Sequence, residues 1–221
     1  MTASASPLRF QNILLAIAAT ALLPASLFAN IFVEFKNPTS SAAPPLTGES
    51  TVQGFANQII ATSCQFGAGT SVALSSKGFQ ASKPSLSEVT LTKDLDKASP
   101  KMFEALVGGG VYRDVTISFT RTEPGEAHSL FYTIKLKDAI FTSYSSSSGG
   151  DLPSESFSLK FTAIEQSYIP FNSQGVPQTA VVGRYNLLTG RIEFRDAAAS
   201  AAVPVVPRAK PASTGTEITV E

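Results

Sequence analysis

The 221 residues are 43% hydrophobic, enough for one sizeable core, since a domain of about 150 residues buries roughly 70% of its unfolded surface. Seventeen basic and seventeen acidic side chains, with no run of either sign, exclude the clustered basic face that nucleic-acid binding needs and suit a surface that approaches copies of itself. The single cysteine, Cys64, excludes an intrachain disulfide framework.

Residues 1–29 read as an export leader. The first 33 residues carry no acidic side chain and one basic one, Arg9. The apolar run Ile13–Leu23 is followed by Pro24 and the small-residue stretch Ala25–Ala29, which is the three-part layout of a signal peptide. Cleavage after Ala29 leaves Asn30 as the new terminus. An uncleaved anchor is the alternative, but Ile13–Ala29 contains a proline and falls short of the roughly 20 residues that span a bilayer.

Ile31–Phe35 is the first expected strand, followed by a Ser/Ala/Pro-rich loop, Lys36–Thr47. Ala56–Phe66 is an apolar strand in which Cys64 reads as a small buried hydrophobe. Gly67–Pro84, with Gly67, Gly69, Gly78 and Pro84, reads as a long loop. Ser85–Lys93 alternates with period two and leads into the one amphipathic helix, at about 99–107. Ser99 is its expected N-cap and Pro100 suits the first helical position. Met102, Phe103, Leu106 and Val107 form its expected apolar stripe, and Gly108–Gly110 stop it. Asp94 and Asp96 read as turn formers placed near the positive end of the helix dipole.

Val111–Arg121 alternates Val115, Ile117 and Phe119 against Thr116, Ser118 and Thr120, the pattern of a half-buried strand. Glu123-Pro-Gly-Glu126 signals a hairpin turn, and His128 reads as a solvated residue of that turn. Leu130–Thr142 returns with Leu130, Tyr132, Ile134 and Leu136 inward. Ser143–Ser154 reads as a loop with Asp151 and Glu155 solvated at its end, and Phe157, Leu159 and Phe161 mark another strand. The fold class is therefore all-β, a mainly antiparallel sandwich or partly closed barrel with one short helix. Such a sheet has edges to cover, and pairing between identical subunits is one way to cover them. From Asp196 the chain becomes Ala/Pro-rich without periodicity, so 196–221 is expected to be a disordered tail on a 30–195 domain.

The segment LTKDLDKASPKMF (Leu91–Phe103) resembles the strand-into-helix segment of the Hcp family, the tube subunits of bacterial type VI secretion systems. IFVEF (Ile31–Phe35), GES (Gly48–Ser50), SSGGDLPSESFSLKFTAIEQSYIP (Ser147–Pro170) and GRYNLLTGRIEF (Gly183–Phe194) are similar to further family segments, in order, over roughly residues 31–195. The resemblance implies a six-membered ring whose copies stack into a hollow tube, with Ser143–Ser154 joining ring neighbours and Gly67–Pro84 touching the next ring. It also implies small secreted proteins as lumen cargo. Two departures stand out: the leader, which tube subunits ordinarily lack, and the absence of tryptophan, with Phe66 in the place of one of the family's two.

No chemistry competes with that reading. The motifs of serine hydrolases, zinc proteases, calcium loops and phosphate-binding loops are absent, and one His with one Cys makes no metal cluster. Gly67-Ala-Gly-Thr-Ser71 lacks the lysine and third glycine of a nucleotide loop. Asn37-Pro-Thr39 is blocked as a glycosylation site by its proline. No catalytic, cofactor or metal residues are expected. The partners are the chain itself and small effectors, without nucleic acid or, once the leader is removed, membrane. The place is the periplasm or the exterior of a bacterium, or the cytoplasm until release through a type VI machine. A second reading is an exported monomeric β-sandwich that binds a protein or glycan. A carboxylate enzyme is the third.

Overall fold

The computed structural model describes residues 29–122, 128–150 and 152–194. The expected leader up to Phe28, the Glu123–Glu126 turn, Asp151 and the expected tail lie outside the described residues.

Closure of the barrel starts with one strand that changes partner. Ala56–Phe66, expected as a single strand, divides into β2 (Ile59–Ala61) and β3 (Ser63–Gln65). β2 pairs with β1 (Ala29–Pro38) through Val33↔Ile59 and Ile31↔Ala61. β3 pairs with β8 (Val89–Asp94) through Cys64↔Leu91. Thr62, between them, donates its N–H to the Thr92 carbonyl at 2.8 Å. The remaining strands connect β1 to β8 by way of β9 (Val111–Thr122), β10 (His128–Ser147) and β11 (Ser154–Lys160), all antiparallel. Both ends of this path therefore lie on residues 59–65, and the barrel leaves no edge there.

β10 is long enough to pair with β12 and then β11 along one side, and it contains irregularities. Ile134 and Leu136 face the core, but so do Ala139 and Phe141. Asp138, with φ of 45°, interrupts the extended backbone where the side-chain phase flips between these pairs. On one side of Asp138 β10 pairs with β12 (Ala163–Tyr168), which carries β13 (Val181–Asn186) at its far side. On the other side it pairs with β11, where strand pairing continues to Ser147. The expected Ser143–Ser154 loop thus begins as strand, and the true connection starts at Ser148.

The helix α1 (Ser99–Gly108) lies against β10. Its buried residues are Ser99, Met102 and Ala105, whereas Phe103 is 53% and Val107 66% exposed. The expected stripe is therefore rotated by one residue: Met102 and Ala105, three apart, share the inward face. A large-residue search passes over alanine and misplaces the stripe. Gly109, at φ 68°, ends the helix, as the glycine run predicts. Gly110 meets the 40–46 segment so closely that a Cβ there would lie 2.2 Å from the Ala42 carbonyl oxygen. That segment is packed, with Ala43 and Leu46 buried and Tyr112 donating its hydroxyl to the Pro44 carbonyl at 2.6 Å.

Candidate assembly surfaces and the buried polar cluster

Two charged side chains face the barrel interior. Val89, Leu91 and Lys93 alternate inward along β8, and Glu155, Phe157 and Leu159 do so along β11. Lys93 and Glu155 are directly opposite across that strand pair. Lys93 Nζ donates to Glu155 Oε2 at 2.6 Å, to Ser99 Oγ at 2.9 Å and to the Asp94 carbonyl at 2.8 Å, and is 2.9 Å from Asp96 Oδ1. Ser99 Oγ in turn donates to Glu155 Oε2 at 2.7 Å, and the Tyr144 hydroxyl donates to Glu155 Oε1.

Burial alone would raise the Glu155 carboxyl, but hydrogen bonds from Lys93, Tyr144 and Ser99 outweigh it and hold the group below its ordinary range. Burial, reinforced by Glu155, pushes the Tyr144 hydroxyl up to about 12. The cluster is saturated. Lys93 spends its hydrogens on acceptors, and the Ser99 hydroxyl donates to the same Glu155 carboxylate that Lys93 and Tyr144 hold. The cluster ties the start of α1 to β8 and β11.

This geometry corrects two expectations. Glu155 is buried rather than solvated, because it occupies an inward position of β11. Ser99 is not the N-cap: Ala98 holds that position without a side-chain bond, and the Ser99 hydroxyl is committed to the cluster. Asp96 does form the expected turn, accepting the Ala98 N–H at 2.9 Å, while Asp94 is exposed.

His128 is also corrected. It opens β10 opposite Thr122, half-buried, with its ring edge-on to Phe32 at 6.0 Å and Nδ1 3.4 Å from both the Asn30 amide nitrogen and Thr120 Oγ1. Cys64 is half-buried rather than fully buried, yet desolvation pushes its thiol up to about 11. At pH 8 the thiolate is correspondingly scarce, so alkylation by iodoacetamide should run on the order of 100-fold slower in the native protein than in denaturant. Mass spectrometry of timed aliquots measures this. Among the described residues no group of three His, Cys, Asp or Glu side chains is placed to hold a metal.

The outer surface supplies apolar groups. Gly67–Pro84, expected as a loop, is a β-ribbon. Its base pairs β4 (Ala68–Gly69) with β7 (Ser85–Leu86), and its arm pairs β5 (Val72–Ser75) with β6 (Gly78–Ala81). These four strands pair only with one another. Leu74 and Phe79 sit opposite each other on one face of the arm, 75% and 81% exposed. β13 pairs on one side only and exposes Val181 and Val182. Phe103 and Val107 of α1 and Leu152 add further exposed apolar surface. Since residues 59–65 close the barrel internally, the margins left open among the described strands are β13 and the ribbon. This relocates the edges that the sequence pattern led us to expect.

A profile of the family described as "Type VI secretion system effector, Hcp" matches residues 32–168, more than half of the chain. The protein belongs to the Hcp family. The first strand from Phe32 onward, the helix segment and the strands through β12 lie within the match, while the resemblance at Gly183–Phe194 lies beyond it. Solved structures share the fold. A type six secretion system protein superposes with a TM-score of 0.65 at 20% identity, covering 74% of this Hcp-family chain and 99% of its own. Hcp1 from Salmonella typhimurium gives 0.56 at 19% identity, covering 73% and 96%. A further Hcp protein gives 0.56 at 17%, covering 72% and 98%. No curated protein matches the chain.

Proposed function

We propose that this protein is a structural subunit that builds rings, stacked into tubes, and that residues 30–195 form the assembling unit. Family membership carries the reading. The surface supports it, because a barrel already closed on itself still presents Leu74 and Phe79 on a projecting ribbon and one unpaired strand margin. Exposed apolar groups grouped in this way mark interaction sites. β13 and the 148–153 connection join neighbours around a six-membered ring, and the ribbon reaches the next ring. The ring lumen shelters small secreted partner proteins.

Residues 1–29 act as an export leader and 196–221 as a tail that takes no part in the ring. The role is mechanical rather than catalytic, and the subunit works outside the cytoplasm. Electron microscopy of the purified mature protein should show rings, and light scattering should give the mass of an oligomer. A monomer alone at high concentration in both measurements would refute the proposal and favour an exported binding module.

A further inference from the structure

A cleft of about 340 Å³ lies where the ribbon base meets β12 and β13, walled by Phe66, Ala68, Pro84, Leu86, Ile164 and Tyr185. We propose that this cleft is the receptor for the ribbon arm of a second copy, with Leu74 and Phe79 entering it. The inference rests on the assembly reading above and adds the surface on which the arm docks.

Three observations support a second copy as the occupant. The first is apolar complementarity: the arm's two exposed side chains face one way, and most of the cleft lining is apolar, its Gln166 and Arg184 apart, the latter paired with Glu165 at 2.6 Å.

Charge supplies the second. Lys77 stands two residues from Phe79 at the arm's turn, and Glu88 stands two residues from Leu86. Glu88 lines a hollow that shares Phe66 with the cleft. Neither side chain makes an ion pair within the described chain. Phe79 with Lys77 thus finds, in Leu86 with Glu88, a counterpart of the same spacing and opposite charge.

Reach supplies the third. Ala68 in the cleft wall and Leu74 on the arm are six residues apart along one ribbon, about 20 Å at strand rise. In the fold of its own chain the arm leaves Leu74 and Phe79 exposed and outside the cleft, so the guest comes from another molecule. The contact is arm into cleft, hence heterologous, and it propagates rather than closing as a pair.

The test uses the mature protein with p-benzoylphenylalanine in place of Phe79. Irradiation should link it to peptides containing Phe66, Leu86 or Tyr185 of another copy. Phe79→Arg and Ala68→Arg, one on the arm and one in the cleft, should each lower association at least 10-fold in sedimentation. Both side chains replaced are exposed, and unchanged circular dichroism verifies the fold.

Mixing Phe79→Arg with Ala68→Arg should restore pairwise association, because the intact arm of one meets the intact cleft of the other. Lys77→Glu and Glu88→Lys should each weaken assembly, and their combination in one chain should recover it. Crosslinks to another surface, or mixtures no better than the single variants, would overturn the proposal while rings in the wild type leave the assembly reading standing. A wild type that never associates would defeat both.

Discussion

Lys93→Met should destabilise the fold by roughly 3–5 kcal/mol, because it strands a buried carboxylate without its cation. Glu155 would keep the hydroxyls of Ser99 and Tyr144 as donors, but neither carries charge. Replacing both partners together, Lys93→Met with Glu155→Leu, should cost far less than the single change, since a buried ion pair contributes little net stability against apolar side chains of similar size. Urea denaturation of the three proteins at pH 7 measures the difference. Equal losses in the single and double variants would show that the cluster contributes through something other than charge pairing.

The same carboxyl sets a pH dependence. Its folded-state value is depressed from 4.5, so the stability it contributes is fully present above that unfolded value. The contribution fades as the pH falls through the lower folded one. Wild-type stability should therefore drop below about pH 4.5 through this group. In Lys93→Met the sign reverses, because an unpaired buried carboxylate takes up a proton more readily than in the unfolded chain. That variant should regain stability on moderate acidification relative to wild type, which paired urea titrations at pH 7 and pH 4 would detect.

The strands were legible because period-two alternation survives in β8, in β11 and through Val115 and Ile117 of β9, and the helix was legible from Pro100 and its glycine stop. Beyond Ile117 the expected outward Ser118 and Thr120 are buried instead. The failures have physical causes. In β10 the alternation breaks at Asp138, whose left-handed backbone reverses the inward set, so a reading in fixed phase loses Ala139 and Phe141. In β8 and β11 the pattern itself put Lys93 and Glu155 inward. We expected Glu155 to be solvated, and only its register opposite Lys93 shows how each covers the other. Ser-rich Gly67–Pro84 looked like a loop because its glycines and serines hide a ribbon whose strands are two and four residues long. Barrel closure at Thr62 was invisible for a different reason: changing partner in mid-strand leaves no mark on local composition. The exposed margins followed from that closure, and so did the cleft, since both depend on which strands the chain has already paired.

Gly110→Ala should be among the most damaging single-methyl substitutions in the chain, with a loss of about 3 kcal/mol. The added carbon would sit 2.2 Å from the Ala42 oxygen and 2.6 Å from the Ala43 Cα. Both are backbone atoms of a packed segment, so no side-chain rotation relieves the clash. Its neighbour gives the control. At Gly109 a Cβ meets nothing within 4 Å, and only the φ of 68° opposes it, so Gly109→Ala should lose about 1–2 kcal/mol from backbone strain. Gly149→Ala, in open space, should be near neutral. The consequence for assembly is specific. Gly110 seats the end of α1 against residues 40–46, so displacing it moves Phe103 and Val107 on the outer surface of the helix. Gly110→Ala protein that still folds at low temperature should therefore lose ring formation if that helix face takes part in the ring. Denaturation curves for the three alanine variants, read beside their particle sizes, separate steric cost from backbone strain. A Gly110→Ala protein as stable as Gly149→Ala would mean that the 40–46 segment gives way freely and does not anchor the helix.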